Sequence, residues 1–221
     1  MKKTLNTMKK TLLFLMLMIC SISFSQNDAK AKALLDEVYS KVSSYNNIFV
    51  DFKNILDNNT ENIHQETRGD VTIQGDKYLF NYLGATKIFD GKKSYTIIPE
   101  NEEVVIESSK DEDEGIITPS KMLTFYRDGF NYKWDILQNV MGRQIQYIEL
   151  IPIDSKSEIK KILLGIDIQT KHIYNVIQIG SNNTKTTISV NSFKTNQPLS
   201  STLFTFDVAK YEEEGYYIIR N

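Results

Sequence analysis

Apolar and polar positions change period several times along this chain, and each change marks an element. In residues 28–45, DAKAKALLDEVYSKVSSY, the residues Ala31, Leu34, Leu35, Val38, Val42 and Tyr45 recur at i, i+3, i+4 spacing. The pattern predicts an amphipathic helix with Asp28 at its N-cap and Lys32, Asp36 and Lys41 on the polar face. From residue 48 the period drops to two. Residues 48–56 read as a strand, 57–60 as a turn, and 66–74 as a second strand ending at the turn Gly75-Asp76. KYLFNYL (77–83) alternates Tyr78, Phe80 and Tyr82 against Leu79, Asn81 and Leu83, so the three rings share one face. Thr86–Phe89, the hairpin signal Asp90-Gly91, Ser94–Ile98 and Glu103–Glu107 complete this run.

A charged stretch, KDEDEG (110–115), separates the two halves, and a second helix is predicted behind it. Thr118 can cap it and Pro119 takes the first helical position, where a missing N–H costs nothing. Ser120–Arg127 then presents Met122, Leu123, Phe125 and Tyr126 on a broad apolar face, and Gly129 can end it. Strands return at Asn131–Val140, Arg143–Ile153, Ile159–Ile168, His172–Gly180 and Lys185–Lys194. Short runs at Phe204–Phe206 and Tyr216–Ile219 close the chain. The whole reads as one long antiparallel meander interrupted by two helices, without an internal repeat or a linker that would split it.

The first 25 residues stand apart. Lys9 and Lys10 precede the apolar run Thr11–Ile19, and small residues follow, with Ser23 and Ser25 placed for cleavage before Gln26. That is the layout of a secretory signal peptide over residues 1–25, and the run is too short for a transmembrane helix. Ile19 before Cys20 is the wrong size for lipoprotein processing. If the sole cysteine leaves with the signal, residues 26–221 hold neither disulfides nor thiolate metal sites. The formal charge of −2 falls to about −6 once four N-terminal lysines are removed. A mildly acidic domain without a basic stripe argues against nucleic acid. No second long apolar segment follows, so a soluble monomer is expected.

No catalytic pattern emerges. H-E-x-x-H, G-x-S-x-G, P-loop and G-x-G-x-x-G motifs are missing. His64 and His172 lie in polar text and read as surface or edge residues. Asp111–Glu114 lacks the alternating spacing and glycine of a calcium loop. No enzyme, cofactor or metal is expected, although carboxylates paired only in space escape this reading. The 12 tyrosines and 11 phenylalanines are compatible with an ordinary β-sandwich core or with a curved sheet enclosing a cavity.

The order of elements resembles LolA, the family of periplasmic carriers that move lipoproteins to the outer membrane of Gram-negative bacteria. The resembling segments are 34–52, the glycine-led strand 68–82, 88–106 with its Asp-Gly-Lys turn, the Pro-led segment ITPSKMLTFY (117–126), IELIPID (148–154) and LFTFD (203–207). The resemblance implies a mainly β, α+β fold: an open antiparallel half-barrel of roughly 11 strands covered by a helical lid. It implies an acyl cavity lined by Tyr78, Phe80 and Tyr82, beneath a lid formed by Met122, Leu123, Phe125 and Tyr126. It also implies acylated lipoproteins as cargo, an inner-membrane lipoprotein-releasing complex as donor and an outer-membrane acceptor. The stretch before KYLFNY departs from the family. Better-studied members carry Arg-Pro there, and here it reads Gly75-Asp76-Lys77, while Arg68 lies elsewhere. The alternative from another class is a sensor or protein-interaction module on the same half-barrel, binding another lipid or a protein partner.

Overall fold

The computed structural model describes residues 28–108 and 119–221. The signal-peptide reading, Cys20, the charged stretch 110–115 and the Thr118 cap lie outside those residues. Helix α1 spans residues 28–43. Ala31, Leu34, Leu35, Val38 and Val42 are all buried, in one core with Ile148, Leu150, Leu164 and Ile166. Burying side chains of that size contributes about 1.5–3 kcal/mol each for the larger ones, before the entropy of ordering them.

Six strands follow: β1 (Ile48–Asn58), β2 (Ile63–Gln74), β3 (Lys77–Tyr82), β4 (Ala85–Phe89), β5 (Lys93–Ile98) and β6 (Glu103–Ser108). After the short helix α2 (Pro119–Met122) come β7 (Phe130–Val140), β8 (Arg143–Pro152), β9 (Ile159–Asp167), β10 (Ile173–Gly180) and β11 (Lys185–Thr195). Helix α3 (Val208–Glu213) and β12 (Tyr217–Arg220) end the chain. All twelve strands form one sheet, in the order β12-β6-β5-β4-β3-β2-β1-β11-β10-β9-β8-β7. β7 and β12 remain edges, so the sheet curves into an open half-barrel rather than closing. The expected fold class holds, with twelve strands.

Glycine is required where rings approach the backbone. A Cβ on Gly69 would lie 2.7 Å from the Phe52 ring and 2.6 Å from the Asn81 carbonyl oxygen. The bare backbone lets the rings of Phe52 and Tyr82 lie across β2.

Two expectations are corrected. Residues 120–127 do not form one helix. α2 is a single turn, Thr124 leaves helical geometry at φ −134°, and a 3-10 turn spans Phe125–Arg127. Phe204–Phe206 is not a strand. The adjoining residues instead form α3, capped by the Asp207 side chain accepting from the Lys210 N–H. The C-terminal segment also builds a second core. Ile97, Val104 and Ile106 are buried against Ile88, Tyr95, Phe206, Val208, Tyr211 and Ile218. Phe206 stacks between Tyr95 and Tyr211, with centroids at 4.6 and 4.9 Å. This cluster sits on the opposite face of β4 from the main core, because Phe89 joins the main core while its neighbour Ile88 joins the second.

Candidate functional site: an apolar cavity beneath a short lid

The concave face of the sheet is not filled. A cavity of about 550 Å³ lies between it and residues 119–125. Its floor comes from alternate residues of five strands: Val50 and Phe52, Val71 and Ile73, Phe80, Val176, and Ile188 and Val190. Ile162, Ile173 and Phe193 extend it, and Met122, Leu123 and Phe125 form its roof. Lys121, Thr124, Asp128 and Gln178 are the polar side chains at its wall and rim. The period of two selects which residues of each strand share a face, and sheet curvature selects which face becomes concave.

Of the three rings on β3, Phe80 lines the cavity. Tyr82 stacks on Phe80 at 5.8 Å and lies tilted against Phe52 at 5.7 Å, and its hydroxyl meets Asn54 Nδ2 and Thr67 Oγ1, each at 2.9 Å. Tyr78 is fully buried and stacks on Phe89 at 5.5 Å, in the core beside the cavity. Met122, Leu123 and Phe125 face the cavity, whereas Tyr126 turns the other way and is wholly buried. Successive residues of a 3-10 turn point about a third of a turn apart, so the adjacent rings of Phe125 and Tyr126 are directed apart, edge to face with centroids 5.8 Å apart.

The chain that follows this roof is fastened. Tyr132 donates its single hydroxyl hydrogen within reach of two carbonyls, those of Tyr126 at 3.0 Å and Arg127 at 2.8 Å. The Arg127 guanidinium lies over the Tyr39 ring of α1. Burial pushes the Tyr126 hydroxyl strongly toward its neutral form, and its oxygen has no hydrogen-bond partner among the described residues. Tyr132 is shifted upward too, again chiefly by burial.

Sequence reasoning missed most of the cavity wall, which comes from β1, β2 and β9–β11. The alternation within those strands was visible, but not which of two faces looks inward. His172 was expected at a surface and is half-buried instead. Its ring stacks on Phe193 at 4.1 Å, and its Nε2 meets the Tyr45 hydroxyl at 2.8 Å. Arg68 is exposed, with Glu66 3.7 Å away, and does not line the cavity. A second hollow of about 670 Å³ has a polar wall, but its amides serve the fold. Asn47 exchanges two hydrogen bonds with the Gln197 backbone, and Asn196 accepts from the Asn46 N–H. Among the described residues no group of three or more His, Cys, Asp or Glu could hold a metal ion, and no helix is long and apolar enough to cross a membrane.

The family model described as "Outer membrane lipoprotein carrier protein LolA" matches residues 43–207. The chain belongs to the LolA family. No curated protein matches it. Among solved structures, it is similar to an uncharacterised conserved protein from Thermus thermophilus, at 10% identity and a TM-score of 0.55, covering 87% of this chain and 99% of that one. It is also similar to a putative outer membrane lipoprotein-sorting protein domain from Vibrio parahaemolyticus, at 11% identity and a TM-score of 0.45, covering 81% and 97%. LprF from Mycobacterium bovis matches at 12% identity and a TM-score of 0.49, covering 78% and 95%. At such identities the Thermus likeness speaks for the fold alone. A LolA-family fold places this chain among carrier or binding proteins of the cell envelope.

Proposed function

We propose that the protein is a periplasmic carrier that holds lipoprotein acyl chains in the cavity beneath residues 119–125 and ferries them toward the outer membrane. The observation that carries this reading is the cavity itself, apolar on floor and roof and reached past a lid only a few residues thick. At about 30 Å³ per methylene-sized unit, the share a water takes in the liquid, about 550 Å³ suits a single chain of ~18 carbons. Each buried methylene contributes about 0.8 kcal/mol, so a ~15-carbon chain gains on the order of 12 kcal/mol. That is too much for a carrier that must release. The roof side chains offset it, because a ligand has to displace Met122, Leu123 and Phe125 from the concave face. Methionine suits this role, since its flexible side chain repacks at little cost. The cycle makes and breaks no covalent bond. A lipoprotein-releasing complex of the inner membrane would load the cavity and an outer-membrane acceptor would empty it.

The test is to purify the mature protein from its native cell envelope and identify what comes with it by mass spectrometry. Acylated polypeptide in near-stoichiometric amount is expected. A chain free of lipid but tightly bound to a soluble protein would overturn the carrier in favour of a protein-interaction module.

A further inference from the structure

The cavity has one closed end, and irregularities in two neighbouring strands build it. On β11, Ile188 and Val190 line the cavity, so strict alternation would put Ser192 on that face and Phe193 on the other. The register shifts instead. Phe52 pairs with Val190 and Asp51 with Ser192, which leaves Asn191 as an extra residue in β11. This bulge reverses the alternation and brings Phe193 into the cavity wall. The Asn191 amide donates to Asp51 at 2.8 Å beside the bulge. β10 does the same one strand away. Val176 and Gln178 line the cavity, the register shifts between Ile173 and Asn175, and Ile173 rather than Tyr174 joins the wall.

Two further rings brace Phe193. The His172 imidazole stacks on it at 4.1 Å, and Tyr45 lies tilted against it at 6.4 Å. The Tyr45 hydroxyl meets His172 Nε2 at 2.8 Å, which ties the three rings into one unit. The cavity ends close to this level. Val50 pairs with Phe193 and lines the cavity, but the next residue of β1 on that face, Ile48, is buried in the main core. Ile73 lines it too, and its cross-strand neighbours Ile48 and Tyr78 are both core. Away from this end the wall carries Gln178 and Asp128.

We infer that Phe193 is the end stop of the cavity and sets the longest acyl chain that the cavity takes. The inference rests on the cavity holding an acyl chain, and it fixes which way that chain lies. The methyl end meets Phe193 and Ile173, and the polar head lies toward Gln178 and Asp128. A saturated chain gains about fourfold in affinity for each methylene that it buries. Carbons that find no room beyond a fixed wall gain nothing. A ring held by two others does not swing aside as a free side chain would, so the limit is sharp.

A series of saturated N-methyl alkanamides of increasing length, each displacing a fluorescent hexadecyl compound, reports affinity against chain length. For the wild type, affinity is expected to rise about fourfold per methylene and then level off. Phe193→Ala is expected to move the levelling-off point about two to four carbons longer, the room that a ring vacates when its site does not collapse. Phe193→Trp is expected to move it shorter, because the larger ring fills more of the end. Circular dichroism identifies the folded variants, and Phe193→Leu stands in for alanine if that variant does not fold. An unmoved levelling-off point in the folded variants would overturn the end stop and leave the carrier reading standing. Failure of the wild type to bind the series at any length would overturn the carrier reading and the end stop with it.

Discussion

Arg127 places its guanidinium carbon 3.7 Å from the centre of the Tyr39 ring, tying the segment after the cavity roof to α1. The contact joins residues 88 positions apart in sequence, across the boundary between the two halves of the chain. Together with the Tyr132 hydroxyl, it holds the chain directly after the cavity-facing residues Met122, Leu123 and Phe125. Replacing Tyr39 by Leu keeps the apolar bulk and removes the π face. Cation–π pairs of this kind are worth about 0.5–2 kcal/mol. Faster association and faster release of an acyl probe are expected in stopped-flow fluorescence, with the affinity changed less than either rate. Unaltered rates would show that the contact does not restrain the lid.

Phe125→Glu introduces a carboxylate at the roof of an apolar cavity, which is costly unless it is neutralised or moves out. Acyl binding should fall by at least tenfold while the sheet melts near its normal temperature. Circular dichroism melting beside a fluorescent acyl-binding assay checks this. Loss of the fold would mean that Phe125 is core rather than roof.

Tyr126 predicts a contrasting result. Its hydroxyl is buried without a partner among the described residues, so Tyr126→Phe removes an unsatisfied group and should leave stability unchanged or raise it slightly. Tyr126→Ala empties a fully buried site and should cost about 3–5 kcal/mol in urea unfolding. A large loss for the phenylalanine variant would contradict this packing.

Gly69→Ala is expected to destabilise the protein by about 1–3 kcal/mol, since the added methyl meets the Asn81 carbonyl and the Phe52 ring. The aromatic stack of Phe52, Phe80 and Tyr82 should loosen, giving a weaker near-ultraviolet circular dichroism signal.

His172 gives the protein a pH dependence of defined sign. Burial, aided by the charges of Lys41 and Arg143 and opposed by Asp167, holds its imidazole below the ordinary value of 6.5. The folded state therefore binds a proton less readily than the unfolded chain. Its contribution is fully present above about pH 6.5 and is lost as the pH falls below that value toward the lowered folded value. His172→Phe preserves stacking on Phe193 and removes the titration. The melting temperature of the wild type should drop more between about pH 7 and pH 5 than that of the variant.

Local chemistry made much of this fold legible. The i, i+3, i+4 spacing of Ala31 to Val42 and the alternation of Tyr78, Phe80 and Tyr82 are short-range patterns, and so are turns such as Gly75-Asp76. Each is written within a few residues, so short-range spacing is enough to define α1, most strands and the antiparallel meander. The short lid was harder to read. Met122, Leu123, Phe125 and Tyr126 look like one apolar helical face, yet the site separates Phe125 from Tyr126 because a cavity lies on one side and a packed core on the other. Phe206 and Tyr211 carried no local sign that they would pack near Tyr95, which lies far earlier in the chain. Curvature and the choice of which face turns inward depend on contacts between distant strands, and they exist only once the chain is folded.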